Sequence, residues 1–289
     1  MDAWQTILWI AVAVIAAPLI GALLMGIDRK VTARMQGRIG PPVWQPFYDV
    51  IKLLRKKPIA LNRFQIFYAW LHLSFMILVV VLLTLGQDIL LILFVHAFAV
   101  IALVMGGMSV RSPYSRIGSH RKIMQMVAYE PILILMVVGM YLVGRHTHLA
   151  SFMASDVIAG PQPLLLAMPL VFVALLFAVA IKLEKSPFDI ASSHHAHQEL
   201  VKGITVEYSG PYLAILEIAH FYEVAVLFAV IACFWATNLL IGLGLAAISL
   251  LLLIALDNVV ARLKPLWMVK FMWTIPMVLA LSNIIWLYY

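Results

Sequence analysis

Apolar residues dominate this sequence in long runs, and short polar segments separate them. A spanning helix needs about 20 consecutive, mostly apolar residues. Eight stretches meet that length: Trp4–Ile27, Phe64–Gly86, Ile89–Met108, Ile123–Gly144, Pro163–Leu183, Gly210–Thr237, Leu239–Leu256 and Leu266–Leu287. They predict an all-α membrane protein, a single transmembrane domain of about eight helices over residues 1–289. Little sequence is left for a further soluble domain. The first run has no basic residue before Arg29 and is longer than the core of a secretion signal, so it reads as a retained span.

Composition agrees with the pattern. The 289 residues are 64% hydrophobic and 11% charged, where soluble domains carry roughly a quarter charged residues. The formal charge of +7 is not spread evenly. The polar segments 28–63, 109–122, 182–209 and 257–270 hold 19 of the 20 lysines and arginines, and Arg145 alone lies with the other set. By the positive-inside rule the basic side is cytoplasmic and both termini face out. That distribution expects membrane orientation rather than nucleic-acid binding. Trp4, Trp9, Trp286, Tyr288 and Tyr289 fit an outer aromatic belt. One cysteine, Cys233, excludes an internal disulfide and an iron–sulfur cluster held by four cysteines of this chain.

Two basic-side segments carry further pattern. Between Trp44 and Lys57, Phe47, Val50, Ile51 and Leu54 recur at helical spacing while Lys52, Arg55 and Lys56 fall elsewhere. That is a short amphipathic helix at the membrane interface, suited to anchoring on anionic lipid or to forming a floor under a partner protein. In 184–209, Leu200, Val201 and Ile204 give a second short apolar stripe. His194, His195 and His197 lie close together, but no nearby ligand set completes a tetrahedron, so no metal is assigned to them.

Three carboxylates fall inside spans: Glu130, Glu217 and Glu223. A charge at mid-membrane costs about 2.5–3.5 kcal/mol on insertion scales, and such groups usually line a polar path. Glu217, His220 and Glu223 are spaced three apart, which keeps them within an arc of about 120° on one helix. They form a titratable stripe. Glu130 follows Tyr129 and precedes Pro131, which frees a carbonyl one turn earlier. The competing reading is a set of neutral, hydrogen-bonded acids that only fasten helices. His72 and His96 read as helix-packing groups. Lys182 and Lys270 lie near span ends, where the ammonium can snorkel to the surface.

Several motifs resemble one family in order and spacing. They are Asp28-Arg29-Lys30-Val31, Gln36-Gly37-Arg38-Ile39-Gly40-Pro41-Pro42, Gln45-Pro46 with Asp49-Val50-Ile51-Lys52-Leu53, Tyr129-Glu130, Ser186-Pro187-Phe188-Asp189, and Glu199-Leu200-Val201-Lys202-Gly203 with Glu207-Tyr208-Ser209-Gly210. The sequence resembles subunit 1 of respiratory NADH:quinone oxidoreductase (complex I) and its counterparts in membrane-bound nickel–iron hydrogenases. The run Ser192-Ser193-His194-His195-Ala196-His197-Gln198-Glu199 stands where quinone-reducing members carry a glutamate-rich loop. Lys182-Leu183-Glu184-Lys185 replaces their Ala-Glu-x-Asn-Arg run, and Phe221 occupies a position where they carry a late-helix glutamate. These departures point away from quinone and toward the Ech-type energy-converting hydrogenases.

The resemblance implies a membrane-anchoring and ion-coupling subunit, itself without a redox centre, in a multi-subunit oxidoreductase of the inner membrane. It implies a membrane path through Glu130, Glu217, His220 and Glu223, entered from the cytoplasm by Glu199, Glu207 and Asp189. Arg29, Arg34, Arg38 and Arg116 would hold a docked subunit or the loops themselves. The implied partners are membrane lipid, the nickel–iron hydrogenase large and small subunits, an iron–sulfur subunit and an antiporter-like membrane subunit, with ferredoxin indirectly and no nucleic acid. Iron–sulfur clusters and a nickel–iron centre would belong to those partners. A quinone-binding subunit and a purely structural anchor are the alternatives.

Overall fold

The computed structural model describes residues 3–59, 62–146, 152–158, 160, 162–191 and 202–289. These residues form α1 (Ala3–Met35), α2 (Gln45–Leu54), α3 (Arg63–Thr84), α4 (Ile89–Met108), α5 (Pro113–His146), α6 (Ala154–Ile158), α7 (Leu164–Ala167), α8 (Pro169–Lys182), α9 (Gly210–Cys233), α10 (Leu239–Val259) and α11 (Pro265–Tyr288). Seven of them, α1, α3, α4, α5, α9, α10 and α11, are long and apolar enough to cross a membrane. The chain is an all-α, multi-pass membrane protein.

Local chemistry sets the helix starts. Asp88 Oδ1 accepts from Leu90 N at 2.7 Å, and Asn238 Oδ1 accepts from the amides of Leu240 and Ile241, so each side chain satisfies amides that a first turn leaves open. α3 packs on α4 and α9, α1 on α9, and α11 on both α5 and α8. The main apolar core lies among α5, α8, α9 and α11, with Ile132, Leu175, Ile231 and Met272 buried in it.

Inter-element contacts sort the connections into two ends. At one end, Gln36 bonds Asn258 at 3.0 Å, Leu263 N donates to Pro187 O at 2.9 Å, and Ile59 N donates to Ser209 Oγ at 2.9 Å. This end gathers the basic segments. At the other, Ala154 N donates to Gln87 O and Leu165 N to Phe234 O, both at 3.0 Å.

The stretch 164–182 runs between the two ends but is broken at Met168. α8, with 14 residues, is too short to cross alone. The break is capped from another helix. Asn283 of α11, fully buried, accepts from Leu170 N at 2.9 Å and Val171 N at 3.2 Å and donates to Ala167 O at 3.3 Å. Irregular backbone is tolerated at membrane depth only when such groups are satisfied.

Two elements differ from the expected ones. α1 continues through Asp28, Arg29, Lys30 and Arg34 to Met35, and α5 begins at Pro113, ten residues before its apolar run. Hydropathy marks where the apolar run stops, whereas the backbone helix continues until a breaker: a left-handed Gly37 in the first case. Of the second apolar stripe, the described part is a 3-10 turn, Gly203–Thr205, with Ile204 buried. Leu200 and Val201 lie outside the described residues.

Candidate functional site

α9 carries the expected stripe, and its spacing has the predicted effect. Glu217, His220 and Glu223 all line one cavity of about 90 Å3 against α5, the 3-10 turn and the loop after α8. Their partners differ. His220 Nδ1 donates to Glu223 Oε2 at 3.3 Å. Glu217 turns the other way and pairs with Lys202 Nζ at 3.4 Å near the surface.

Glu223 is the centre of a buried cluster that spacing along the chain does not reveal. Lys182 Nζ lies 3.7 Å from Glu223 Oε1, and His96 Nε2 lies 3.4 Å from the same oxygen. Lys182 Nζ also stands 3.1 Å from His96 Nδ1 and 3.2 Å from its Nε2, so the ammonium, the imidazole and the carboxylate are in mutual contact. The Lys182 ammonium sits 4.4 Å from the Tyr129 ring centroid, a favourable cation–π placement. Lys182 is 1% exposed. It does not snorkel, because Phe188, Ile190 and Ala191 of the following loop fold back over the end of α8 and are buried there. His96 is likewise a member of the charged cluster rather than a packing group.

Glu130 is a second carboxylate near this lysine. Lys182 is the cation whose charge acts on both Glu130 and Glu223. Glu130 Oε1 is buried with no hydrogen-bond partner among the described residues. His72 Nδ1 bonds the Ala99 carbonyl at 2.7 Å, so that histidine is held by the backbone while its ring lines the same cavity as Glu223.

The cluster opens toward the basic end by two steps. Lys122 Nζ and Glu184 Oε1 form a part-buried ion pair at 2.7 Å on the wall of the small cavity. Glu184 and His220 also line a larger cavity of about 360 Å3 between α1, α9, α10 and the 183–189 loop. Its inner wall is apolar, with Leu24, Val224, Phe228 and Leu253. Its mouth is charged. Lys185 bridges Asp28 at 2.5 Å and Asp257 at 3.2 Å, and Ser186 N donates to Asp257 at 2.8 Å. Burial alone would push the Lys185 ammonium down, but the two carboxylates outweigh it and hold it above the usual lysine range. Lys185 thus stays charged and ties α1, the loop and α10 together.

The remaining candidates lie at this end. Asp189 is buried, lines the mouth and meets Arg262 Nε at 3.7 Å. Glu207 is exposed just after the 3-10 turn, away from the cluster. Glu199 and the histidines 194, 195 and 197 lie outside the described residues. Arg29 holds the loop, pairing with Asp49 at 2.9 Å. Arg34, Arg38 and Arg116 are exposed; Arg38 donates to Gln36 at 2.9 Å and Arg116 to the Val110 carbonyl at 3.1 Å.

Four members of the site, Lys182, His96, Lys122 and Glu184, are not among the residues expected from sequence. A signal for them lies in the segment after α8. Charged Lys-Leu-Glu-Lys is followed by Ser-Pro-Phe-Asp-Ile-Ala, too apolar to lie in water, and this loop covers the helix end.

Comparison with known proteins gives a consistent setting. Residues 8–288 match the NADH dehydrogenase family. Hydrogenase-4 component C of Escherichia coli K12 is 29% identical over 226 residues, 74% of this chain and 70% of that protein. A subunit of the NADH-quinone oxidoreductase of Bacillus mycoides KBAB4 is 29% identical over 294 residues, 89% of this chain and 85% of its own. A chain of the membrane-bound sulfane sulfur reductase, an archaeal respiratory membrane complex, superposes with a TM-score of 0.83 at 24% identity, covering 98% of this chain and 99% of that one. That likeness establishes a shared fold.

Proposed function

The chain belongs to the NADH dehydrogenase family, the family of complex I subunit 1, and from that premise we propose that it is the membrane-anchoring and ion-coupling subunit of an energy-converting hydrogenase complex. The observation that carries this reading is the buried Glu223–His96–Lys182 cluster, joined through His220 to a cavity that opens among the basic segments. Charges at this depth are costly and are kept where they line an ion path. The similarity to Hydrogenase-4 component C favours the hydrogenase branch.

In this reading a proton enters from the cavity beside Glu184, reaches His220 and passes to Glu223. Lys182 and His96 hold the Glu223 carboxylate in place, and Glu130, on which the Lys182 charge also acts, is the next acceptor. Glu217 feeds the same cavity from the Lys202 side. The basic end is cytoplasmic in the inner membrane, and Arg34, Arg38 and Arg116 face the docked arm. The partners are the nickel–iron large and small subunits, an iron–sulfur subunit and an antiporter-like membrane subunit, with ferredoxin as the electron donor. The clusters and the nickel–iron centre belong to those subunits.

The test uses the intact complex in inverted membrane vesicles. Glu217→Gln, which leaves the buried cluster in place, and the charge-neutral pair Lys182→Met/Glu223→Gln should both retain hydrogen production from an artificial donor and lose the ion gradient. A full gradient in both would leave the chain a structural anchor. A nickel–iron large subunit should co-purify.

A second reading rests on the 360 Å3 cavity. Its apolar inner wall and charged mouth suit a quinone ring and tail, and the NADH-quinone oxidoreductase of Bacillus mycoides contains a similar chain. Quinone reduction by the purified complex, blocked by quinone-site inhibitors, would favour it.

A further inference from the structure

A pocket of about 220 Å3 lies under α2, between α1 and α9, and borders the 90 Å3 cavity through Lys202, Leu213 and Glu217. Its walls carry Arg29, Lys52, Lys56 and Lys202 against Asp49 and Glu217. Two ion pairs use both carboxylates: Arg29 with Asp49 at 2.9 Å and Lys202 with Glu217 at 3.4 Å. The Lys52 and Lys56 side chains have no ion pair or hydrogen bond among the described residues, yet both face the pocket. Lys52 lies in the last turn of α2 and Lys56 just past its end, and both are exposed. The pocket is therefore left with two positive charges and no anion to separate them.

The surroundings identify the anion's class. α2 buries Val50 against α1 and α9, while Trp44, Tyr48, Ile51 and Leu54 are 47–58% exposed along its other flank. An interfacial helix with aromatics outward and lysines beside them lies at headgroup depth. Val50, Leu53 and Phe221 add apolar side chains to a lining that is otherwise mostly charged. Negative charge carried at headgroup depth fits unpaired lysines beside an interfacial helix.

We infer that this pocket holds the phosphodiester headgroup of an anionic phospholipid, with Lys52 and Lys56 on the phosphate. The lipid fixes α2 against α9.

The test uses the whole purified complex, stripped of lipid and placed in phosphatidylcholine nanodiscs with or without phosphatidylglycerol. Wild-type complex should bind phosphatidylglycerol in preference to phosphatidylcholine and gain thermal stability from it. Lys52→Gln/Lys56→Gln should weaken that binding roughly thirtyfold, the loss expected for two cations next to an anionic headgroup. Arg55→Gln/Lys57→Gln, exposed neighbours that do not line the pocket, should leave it nearly unchanged. Equal losses in the two pairs would mean diffuse surface attraction and overturn the site. So would an equal stability gain from inorganic phosphate alone.

Discussion

Tyr222 of α9 donates its hydroxyl to the Val14 carbonyl of α1 at 2.7 Å, and Val14 lies one helical turn before Pro18. Pro18 has no N–H, so the Val14 carbonyl has no donor within its own helix. α5 shows the same arrangement: Trp273 Nε1 of α11 donates at 3.3 Å to Val127, four residues before Pro131. In each case a neighbouring helix supplies the missing donor. The proline interrupts one helix and fastens two. Both fastenings adjoin the site, since Tyr222 precedes Glu223 and Pro131 follows Glu130.

Tyr222→Phe should therefore destabilise the protein although it keeps the ring. It leaves a carbonyl unsatisfied in a low-dielectric setting, which costs about 1–3 kcal/mol. The expected readout is a lower melting temperature of the solubilised complex. Tyr222→Phe combined with Pro18→Ala, which restores an α1 amide donor for Val14, should recover most of the loss. No recovery would show that the hydroxyl acts elsewhere.

Much of this arrangement could be read from the chain, and the part that could not has a definite reason. The spans follow from hydropathy, and the Glu217–His220–Glu223 stripe follows from helical spacing. Pro131 announced an open carbonyl, but nothing local says that Trp273, 146 positions away, would close it. Lys182 is the sharper case. A lysine at the end of an apolar run normally reaches water. Here the next loop is buried around it, the counter-charge comes from Glu223 of α9, and His96 of α4 adds a neutral contact. Burial of a helix end is a tertiary property, and spacing along one helix does not encode it.

The Lys182–Glu223 pair gives the clearest energetic prediction. Removing one partner of a buried pair leaves the other charge uncompensated and typically costs about 3–5 kcal/mol, while neutralising both is often tolerated. Lys182→Met and Glu223→Gln should each lower thermal stability markedly, and the double variant should regain most of it. Ion coupling should stay lost in the double variant. Additive destabilisation would argue that the two side chains hold their places independently.

Close approach of α1 and α9 depends on Gly21. A Cβ there would run into the Phe221 carbonyl oxygen, which is backbone and cannot swing aside. Gly21→Ala should push the helices apart at a cost of about 1–3 kcal/mol, the usual range for overpacking. The same shift would move Leu24 and Met25, which line the large cavity beside His220. A cysteine pair across α1 and α9 should then cross-link more slowly in the variant than in the parent. Unchanged cross-linking and stability would mean that the contact can relax.

The break between α7 and α8 places Lys182, so its cap should matter beyond stability. Asn283 serves two amides and one carbonyl that the break at Met168 leaves open. Asn283→Ala strands all three in a region without water, where each unsatisfied group costs up to several kcal/mol. Asn283→Asp keeps the acceptor for Leu170 and Val171, loses the donor to Ala167 and adds a charge at the amino end of α8, where a helix favours one. The expected order of thermal stability is therefore wild type, then Asp, then Ala. The Ala variant should also weaken ion coupling, because α8 pivots at Met168 and carries Lys182 at its far end, next to Glu223 and His96. A loss of stability with undisturbed coupling would show that α8 is held by its packing against α5 and α11, and that Asn283 only completes the backbone.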